Sequence, residues 1–386
     1  MRRFSALLAA SIVGASLVSC GDSTEGSKDL VIGVLLPMTG GQATYGEESW
    51  NGILIAQDEI RRKDPSFAFT LERADEQSSK EQAGPQTKKL IENHGARIVV
   101  GSVASSNTMG AAIVCKEADV PLLTPASTND TLTEMPEKYG KMLFRACFKD
   151  SFQGTMLARF AKNTLKAGTA VALIDKASAY SVGLAEQFSK EFVRLGGKVS
   201  SENFNALDKD FTTLVEKVGG MKPDVILCSG YYEPAGAMLK ISQNAWKGIP
   251  VIGGDGLDSE KLMQLAGEPT SRVFFTSHFV ATDADPVVQT FVTKYRDRFQ
   301  GKVPGAMAAL GYDALYAVYE AGKRAKAAHP DSPYTAAHLS GGLLGLDFVG
   351  VTGKIHIGDD RTPKKSIVIV EAVGSAFKFV EKIQPE

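Results

Sequence analysis

"VVGSVASSNTMG", residues 99–110, starts as an apolar run, breaks into small hydroxyl residues and turns apolar again at Ala111-Ala112-Ile113. The pattern is that of a buried strand, a tight turn and a helix N-terminus. Such a turn leaves backbone N–H groups without intrahelical partners, and the positive end of the helix dipole draws anions to them. No Gly-Lys-Ser/Thr follows the strand, so the turn is not a nucleotide phosphate loop.

The same unit repeats in both directions along the chain. "LVIGVLLP" (30–37) precedes a helical pattern with Trp50, Ile53, Leu54 and Ile60 on one face. "FAFTLERAD" (67–75) precedes a helix near 79–93, and "RIVVG" (97–101), a helix near 107–118 and "VPLLTP" (120–125) complete the series. The series then begins again: "MLFRACF" (142–148), a helix near 151–166, "TAVALIDK" (169–176), a helix near 182–196 and "KVSSENF" (198–204). "DVILCSG" (224–230), a helix near 234–245, "PVIGGDG" (250–256) and "RVFFTSHF" (272–279) follow. Short strands that are apolar throughout are buried on both faces, which places them in parallel sheets between helices. The fold class is therefore α/β, doubly wound, in two lobes of like architecture. The tail differs, with helices near 286–300, 306–328 and 334–343, then β-rich "FVGVTGKIHI" (348–357) and "SIVIVEAVGSAFKFVEKI" (366–383).

Composition narrows the function classes. The 386 residues are 44% hydrophobic and 23% charged, with a formal net charge of −1. No basic excess exists to displace counterions from a nucleic acid, so no nucleic-acid partner is expected. "MRRFSALLAASIVGASLVSC" (1–20) combines Arg2 and Arg3 with an apolar stretch too short to span a bilayer comfortably, the pattern of an export signal. Beyond it, Cys115, Cys147 and Cys228 are an odd number in an oxidising compartment. Cys228 lies in an apolar strand and reads as a buried small hydrophobe, whereas a Cys115–Cys147 pair stays open at this level. With no CxxC and no His-rich cluster, neither a metal nor another cofactor is expected.

Catalytic signatures are missing. The first strand runs into "PMTGGQATYGEES" without a G-x-G-x-x-G, and neither a G-x-S-x-G elbow nor H-E-x-x-H occurs. His94, His278, His329, His338 and His356 share no spacing and read as surface or satisfied residues. What recurs is a set of loops at the carboxyl ends of strands: "GSVASSNT", "TPASTND", "DKASAYSVG", "SGYYEP" and "GGDGLD". Ligands of doubly wound sheets bind outside those strand ends. Backbone N–H groups and hydroxyls on one lobe suit a carboxylate, and Asp255 beside aromatic rings, with no other acid in view, suits an ammonium. Together these describe a free amino acid.

The order and spacing of "IGVLLPMTGGQATYGEESWNG", "VVGSVASSNT", "LFRACFKDSFQG", "DKASAYSVGLA", "SGYYEPAGAMLK", "GGDG" and "GYDALYAVYEA" resemble the leucine/isoleucine/valine-binding type of periplasmic binding protein. "LVSC" (17–20) resembles a lipobox, which implies a signal peptide over 1–19, a lipid-bearing Cys20 and a polar tether over 20–28. The resemblance implies a type I periplasmic binding fold: two Rossmann-like lobes, a three-crossover hinge and a ligand cleft between the lobes. Crossovers are expected near Phe144–Phe148, Phe275–Phe279 and Val351–Ile357, giving lobe one as 29–146 plus 278–353 and lobe two as 147–277 plus 354–386. It further implies that Ser105 and Thr128 meet a ligand carboxylate and that Ala126 offers a carbonyl to an ammonium. Tyr45 covers the ligand, Tyr180 and Tyr231 line the opposite wall, and Asp255 pairs the ammonium. Val103, Ala104 and Met307 shape the side-chain pocket. The family more often carries Glu at the place of Asp255 and phenylalanine at that of Met307, and the loop before Tyr180 is one residue longer here, so branched-chain specificity does not follow. The implied protein is a monomeric, non-enzymatic receptor, lipid-anchored in the periplasm or at the cell surface, that hands its solute to a membrane permease with its ATPase. A receptor for an amide or aromatic carboxylate, and an exported enzyme, are the alternatives.

Overall fold

The computed structural model describes residues 29–385 apart from Thr270 and Ser375, so the expected signal segment, Cys20 and the tether lie outside the described residues. The first series folds as β1 (Leu30–Leu36), α1 (Ala43–Lys63), β2 (Phe69–Asp75), α2 (Lys80–Glu92), β3 (Ile98–Gly101), α3 (Ser105–Glu117) and β4 (Leu122–Thr124). Two single-turn helices, α4 (Thr131–Glu134) and α5 (Pro136–Tyr139), lead into β5 (Leu143–Arg145). The strands form one parallel sheet in the order β2-β1-β3-β4-β5. Every residue of β1 except Val31 is fully buried, as two-sided covering by helices requires.

The second series contains α6 (Asp150–Asn163), β6 (Thr169–Asp175), α7 (Ala179–Arg194), β7 (Lys198–Phe204), α8 (Thr212–Gly220), β8 (Val225–Cys228) and α9 (Tyr232–Ile241). It continues through β9 (Val251–Gly253), a 3₁₀ turn at Asp255–Leu257, α10 (Lys261–Ala266) and β10 (Val273–Ser277). The tail supplies α11 (Pro286–Arg298), α12 (Ala306–Ala328), α13 (Ala336–Leu343), β11 (Leu346–Gly350), β12 (Gly353–Ile357), β13 (Ile367–Val373) and β14 (Ala376–Ile383). The second sheet has the order β14-β13-β10-β9-β8-β6-β7, parallel from β7 to β10, with β13 and β14 added antiparallel at the far edge. The nine-residue helix α8, absent from the sequence reading, carries only Val215 and Val218 to the core. It is the crossover that a parallel β7-to-β8 connection demands.

The chain passes between the sheets three times. The first two passages follow β5 and β10. The third differs. Val351–Ile357 form the turn and second strand of the β11–β12 hairpin. The amides of Val351 and Thr352 donate to the Asp313 carboxylate on α12 at 2.7 and 2.9 Å. That bonding fastens the hairpin to the first lobe, and the chain reaches β13 through residues 358–366.

Two glycines let α1 and α12 pack backbone to backbone. A Cβ on Gly52 would lie 1.8 Å from the Ala308 carbonyl oxygen, and one on Gly311 would lie 2.3 Å from that of Ser49. The contact brings Tyr45 at the start of α1 and Met307 at the start of α12 to the same end of the first sheet.

Candidate functional site

In each sheet the chain switches direction next to its first strand, between β1 and β3 and between β6 and β8. A crevice opens outside the carboxyl ends of strands at such a switch. Around one gap the structure assembles Tyr45, Val103, Ser105, Ala126, Thr128 and Met307 from the first lobe. Tyr180, Tyr231, Asp255 and Gly256 face them from the second. Ala104 alone among the expected residues stays behind the wall, where its carbonyl accepts the amides of Asn107 and Thr108 at 3.1 and 2.9 Å and so opens α3. Only about 10 Å³ remains free between the walls, roughly the room of one water.

On the first lobe, α3 starts at Ser105 behind Ala104, which supplies no side-chain cap to the helix end. Ser105 Oγ accepts the Asn129 amide at 3.3 Å. Thr128 is buried, with its hydroxyl against the Asp150 carboxyl. Its backbone is held tightly: the Arg145 guanidinium donates to the carbonyls of Ser127 and Asn129, both at 3.0 Å, on either side of it. The hydroxyls of Thr108, Thr124 and Ser127 converge on the Ser102 carbonyl at 3.1, 2.7 and 3.2 Å, which locks the two loops together. The wall is thus a rigid set of donors.

On the second lobe, Asp255 Oδ1 accepts Gln153 Nε2 at 3.1 Å, and Oδ2 lies 3.1 Å from His278 Nε2. Gln153 Oε1 in turn accepts the Asp255 amide at 3.2 Å and Thr276 Oγ1 at 2.9 Å. His278 stacks on Phe148 with ring centroids 3.6 Å apart, and burial pulls its pKa below the usual imidazole value. The expectation of a lone acid fails here. Burial pushes Asp150 well above the carboxylate range and Asp258 up to about 7. Both lie near enough to act on their neighbours, yet Asp255 is the acid at the wall of the gap. Gln153 lies within "LFRACFKDSFQG" but was given no role, and His278 read as a surface or satisfied residue. Their contacts with Asp255 span 102 and 23 residues of chain.

The lobes also touch across the gap. Tyr45 Oη donates to the Gly256 carbonyl at 2.5 Å, and the Gly256 amide donates to Tyr180 Oη at 2.9 Å. Asn129 Nδ2 donates to the Ala179 carbonyl at 2.8 Å, while the Ala179 amide donates to Ser106 Oγ at 2.9 Å. Tyr180 stacks on Tyr231 at 5.1 Å, and Tyr45 meets Tyr231 and Tyr232 edge-on at 6.2 and 4.9 Å. Gly256 and Tyr232 are contributors that the sequence reading missed, although each is the chain neighbour of a residue it found. Cys115, Cys147 and Cys228 are buried free thiols, so the first two do not pair. Among the described residues, no group of three His, Cys, Asp or Glu side chains is placed to hold a metal ion.

Comparison with known proteins agrees with this geometry. An amino acid binding protein of Pseudomonas aeruginosa is 31% identical over 252 residues, 64% of this chain and 66% of that one. A leucine binding protein LivK of Thermotoga maritima superimposes with a TM-score of 0.85 at 31% identity, covering 92% of this chain and 99% of the other. The branched-chain amino acid transporter substrate binding protein LivJ of Streptococcus pneumoniae, solved with isoleucine, gives a TM-score of 0.83 at 27% identity, covering 92% and 100%. The family model described as "Periplasmic binding protein" matches residues 29–376. The two switch-point sheets, the three passages and the gap between them are accordingly the type I periplasmic binding fold, and the chain belongs to the periplasmic binding protein family.

Proposed function

We propose that this chain is the extracytoplasmic receptor of an ABC importer and that its solute is a free α-amino acid. One observation carries the reading. Ser105 and Thr128, buried beside the open end of α3, line a single gap whose opposite wall carries the Asp255 carboxylate. A carboxylate bound at one wall and an ammonium at the other would each gain charge-assisted hydrogen bonds away from water. Ser105 and Thr128 hold the carboxylate, Ala126 and Asp255 the ammonium, and Tyr45, Val103, Tyr180, Tyr231 and Met307 enclose the side chain. The resemblance to proteins named for leucine and for leucine, isoleucine and valine supports an aliphatic amino acid.

The gap is walled by both lobes, so admission of the solute requires the lobes to part. Residues 146–149, 278–285 and 358–366 are the hinge about which they do so. The loaded, closed form docks on a permease and its ATPase and releases the solute chemically unchanged. Cys20 carries the lipid anchor, and the receptor works as a monomer.

A thermal-shift screen of the chain from residue 21, refolded to strip bound solute, tests this against amino acids, their amides and aromatic carboxylates. At a hundredfold excess over the dissociation constant the native state gains roughly 2.7 kcal/mol, a shift easily seen. The reading requires that a group of α-amino acids raise the melting temperature and that Asp255→Ala abolish the effect. Stabilisation by benzoates or amides alone, with Asp255→Ala silent, would overturn the ammonium site.

A further inference from the structure

Asp255 is held at the wall of the interlobe gap by two donors from distant parts of the chain. Gln153, in the first turn of α6, donates from Nε2 to Asp255 Oδ1 at 3.1 Å and to Asp150 Oδ1 at 2.7 Å. Its Oε1 accepts the Asp255 amide at 3.2 Å and Thr276 Oγ1 at 2.9 Å, so the whole side-chain amide is engaged. His278, the residue after β10, brings Nε2 to 3.1 Å from Asp255 Oδ2. A carboxylate only accepts, so Nε2 carries the proton of this contact. Nδ1 is then a bare lone pair, buried with no hydrogen-bond partner. The His278 side chain is fully buried, and its ring stacks on Phe148 with centroids 3.6 Å apart and planes 18° from parallel. A phenylalanine would keep that stack and strand no polar atom. What the imidazole adds is one donor, directed at Asp255.

Charge explains why the donor is an imidazole. Gln153 is neutral, and burial pulls the His278 pKa below the usual imidazole value, so the ring is uncharged at neutral pH. Two neutral donors fix where the carboxylate oxygens lie without cancelling the charge on them. A lysine or arginine in place of either would form an ion pair and satisfy the acid before a solute arrived. Asp255 thus presents a negative charge at the gap, and the solute supplies the cation. Resting on the amino-acid reading of the gap, we propose that His278 is the positioning residue of the ammonium site. It sets the preference for an α-amino acid over the same carboxylic acid without its amine.

Isothermal titration of the chain from residue 21 compares three pairs of solutes: alanine with propanoate, leucine with 4-methylpentanoate, and phenylalanine with 3-phenylpropanoate. The pair whose amino acid binds the wild type most tightly is carried through the variants. His278→Phe keeps the stack on Phe148 and loses the donor, and His278→Leu is a second, smaller donor-free variant. His278→Gln keeps a donor, because its Nε2 lies about as far from the backbone as the imidazole Nε2. Both donor-free variants should lower the ratio of amino-acid to des-amino affinity at least about tenfold, and His278→Gln should hold it within about threefold of the wild type. A role confined to packing weakens both members of a pair alike and leaves the ratio unchanged, which overturns the proposal. So does a fall in the ratio that His278→Gln repeats in full. Asp255→Ala keeps the two failures distinguishable. If it collapses the ratio while the donor-free variants do not, the amino-acid reading stands and His278 is not its positioning residue. If it leaves the ratio unchanged, or if none of the three amino acids outbinds its partner acid, the amino-acid reading falls and this proposal with it.

Discussion

Replacing Tyr45 by phenylalanine deletes one oxygen and leaves the ring against Tyr231 and Tyr232. The oxygen donates at 2.5 Å to the Gly256 carbonyl, from α1 of the first lobe to the 3₁₀ turn of the second. Tyr45 is 2% exposed in the closed arrangement, so no water can replace the lost donor. A buried acceptor left without its partner costs about 1–3 kcal/mol. Once the lobes part, the carbonyl meets solvent and the penalty disappears, so the whole cost falls on the closed form. With 1.4 kcal/mol per tenfold, the dissociation constant for the amino acid rises about 5- to 150-fold. Most of that increase should appear as faster dissociation, because loss of the bond eases reopening. Isothermal titration gives the affinity and stopped-flow release gives the rate, while urea unfolding of solute-free protein should change far less than solute affinity. A change in both affinity and release rate of less than about threefold would refute the latch, whatever the effect on unfolding.

Glu76 offers a test by pH. Its buried carboxyl accepts Ser102 Oγ at 2.5 Å beneath the turn that opens α3, and burial raises its pKa from 4.5 to about 7. Between those values the unfolded chain binds fewer protons than the native one, so stability falls as pH rises through the window, by roughly 3 kcal/mol in all. Glu76→Gln should flatten the urea-unfolding profile between about pH 5 and pH 8; an unaltered profile would show that Glu76 does not titrate there. Gly52→Ala places a methyl 1.8 Å from the Ala308 carbonyl oxygen. It should cost at least about 2 kcal/mol in chemical denaturation and weaken solute binding, since α1 and α12 would carry Tyr45 and Met307 apart. Arg145→Lys exchanges a planar fork for a point donor that cannot hold the Ser127 and Asn129 carbonyls together. A tenfold or larger loss of amino-acid affinity is expected by titration, of order 1.4 kcal/mol, and an unchanged affinity would exclude Arg145 from positioning Thr128.

Much of this architecture was legible in the chain because the signals are local. β1, β3 and β8 are apolar at nearly every position, which only strands covered on both faces can be, and that alone dictates parallel sheets with helices between them. Hydroxyl and aromatic residues directly after those strands marked the loops that a doubly wound sheet gathers at its switch point, and Ser105, Thr128, Tyr180, Tyr231 and Asp255 meet there. Where the signal was long-range, the sequence was silent. The third passage shifted because the Asp313 carboxylate captures two amides nearly forty residues away, binding the β11–β12 hairpin to the first lobe. Gln153 and His278 became partners of Asp255 only when α6 and the end of β10 were brought beside the turn after β9. The closing contact between Tyr45 and Gly256 joins residues 211 positions apart. Periodicity and turn chemistry are set by neighbours within a few residues, so they specify strands, helices and the loops between them. Which buried polar atom meets which across two lobes is set by the packing of the whole chain, and that only the tertiary structure decides.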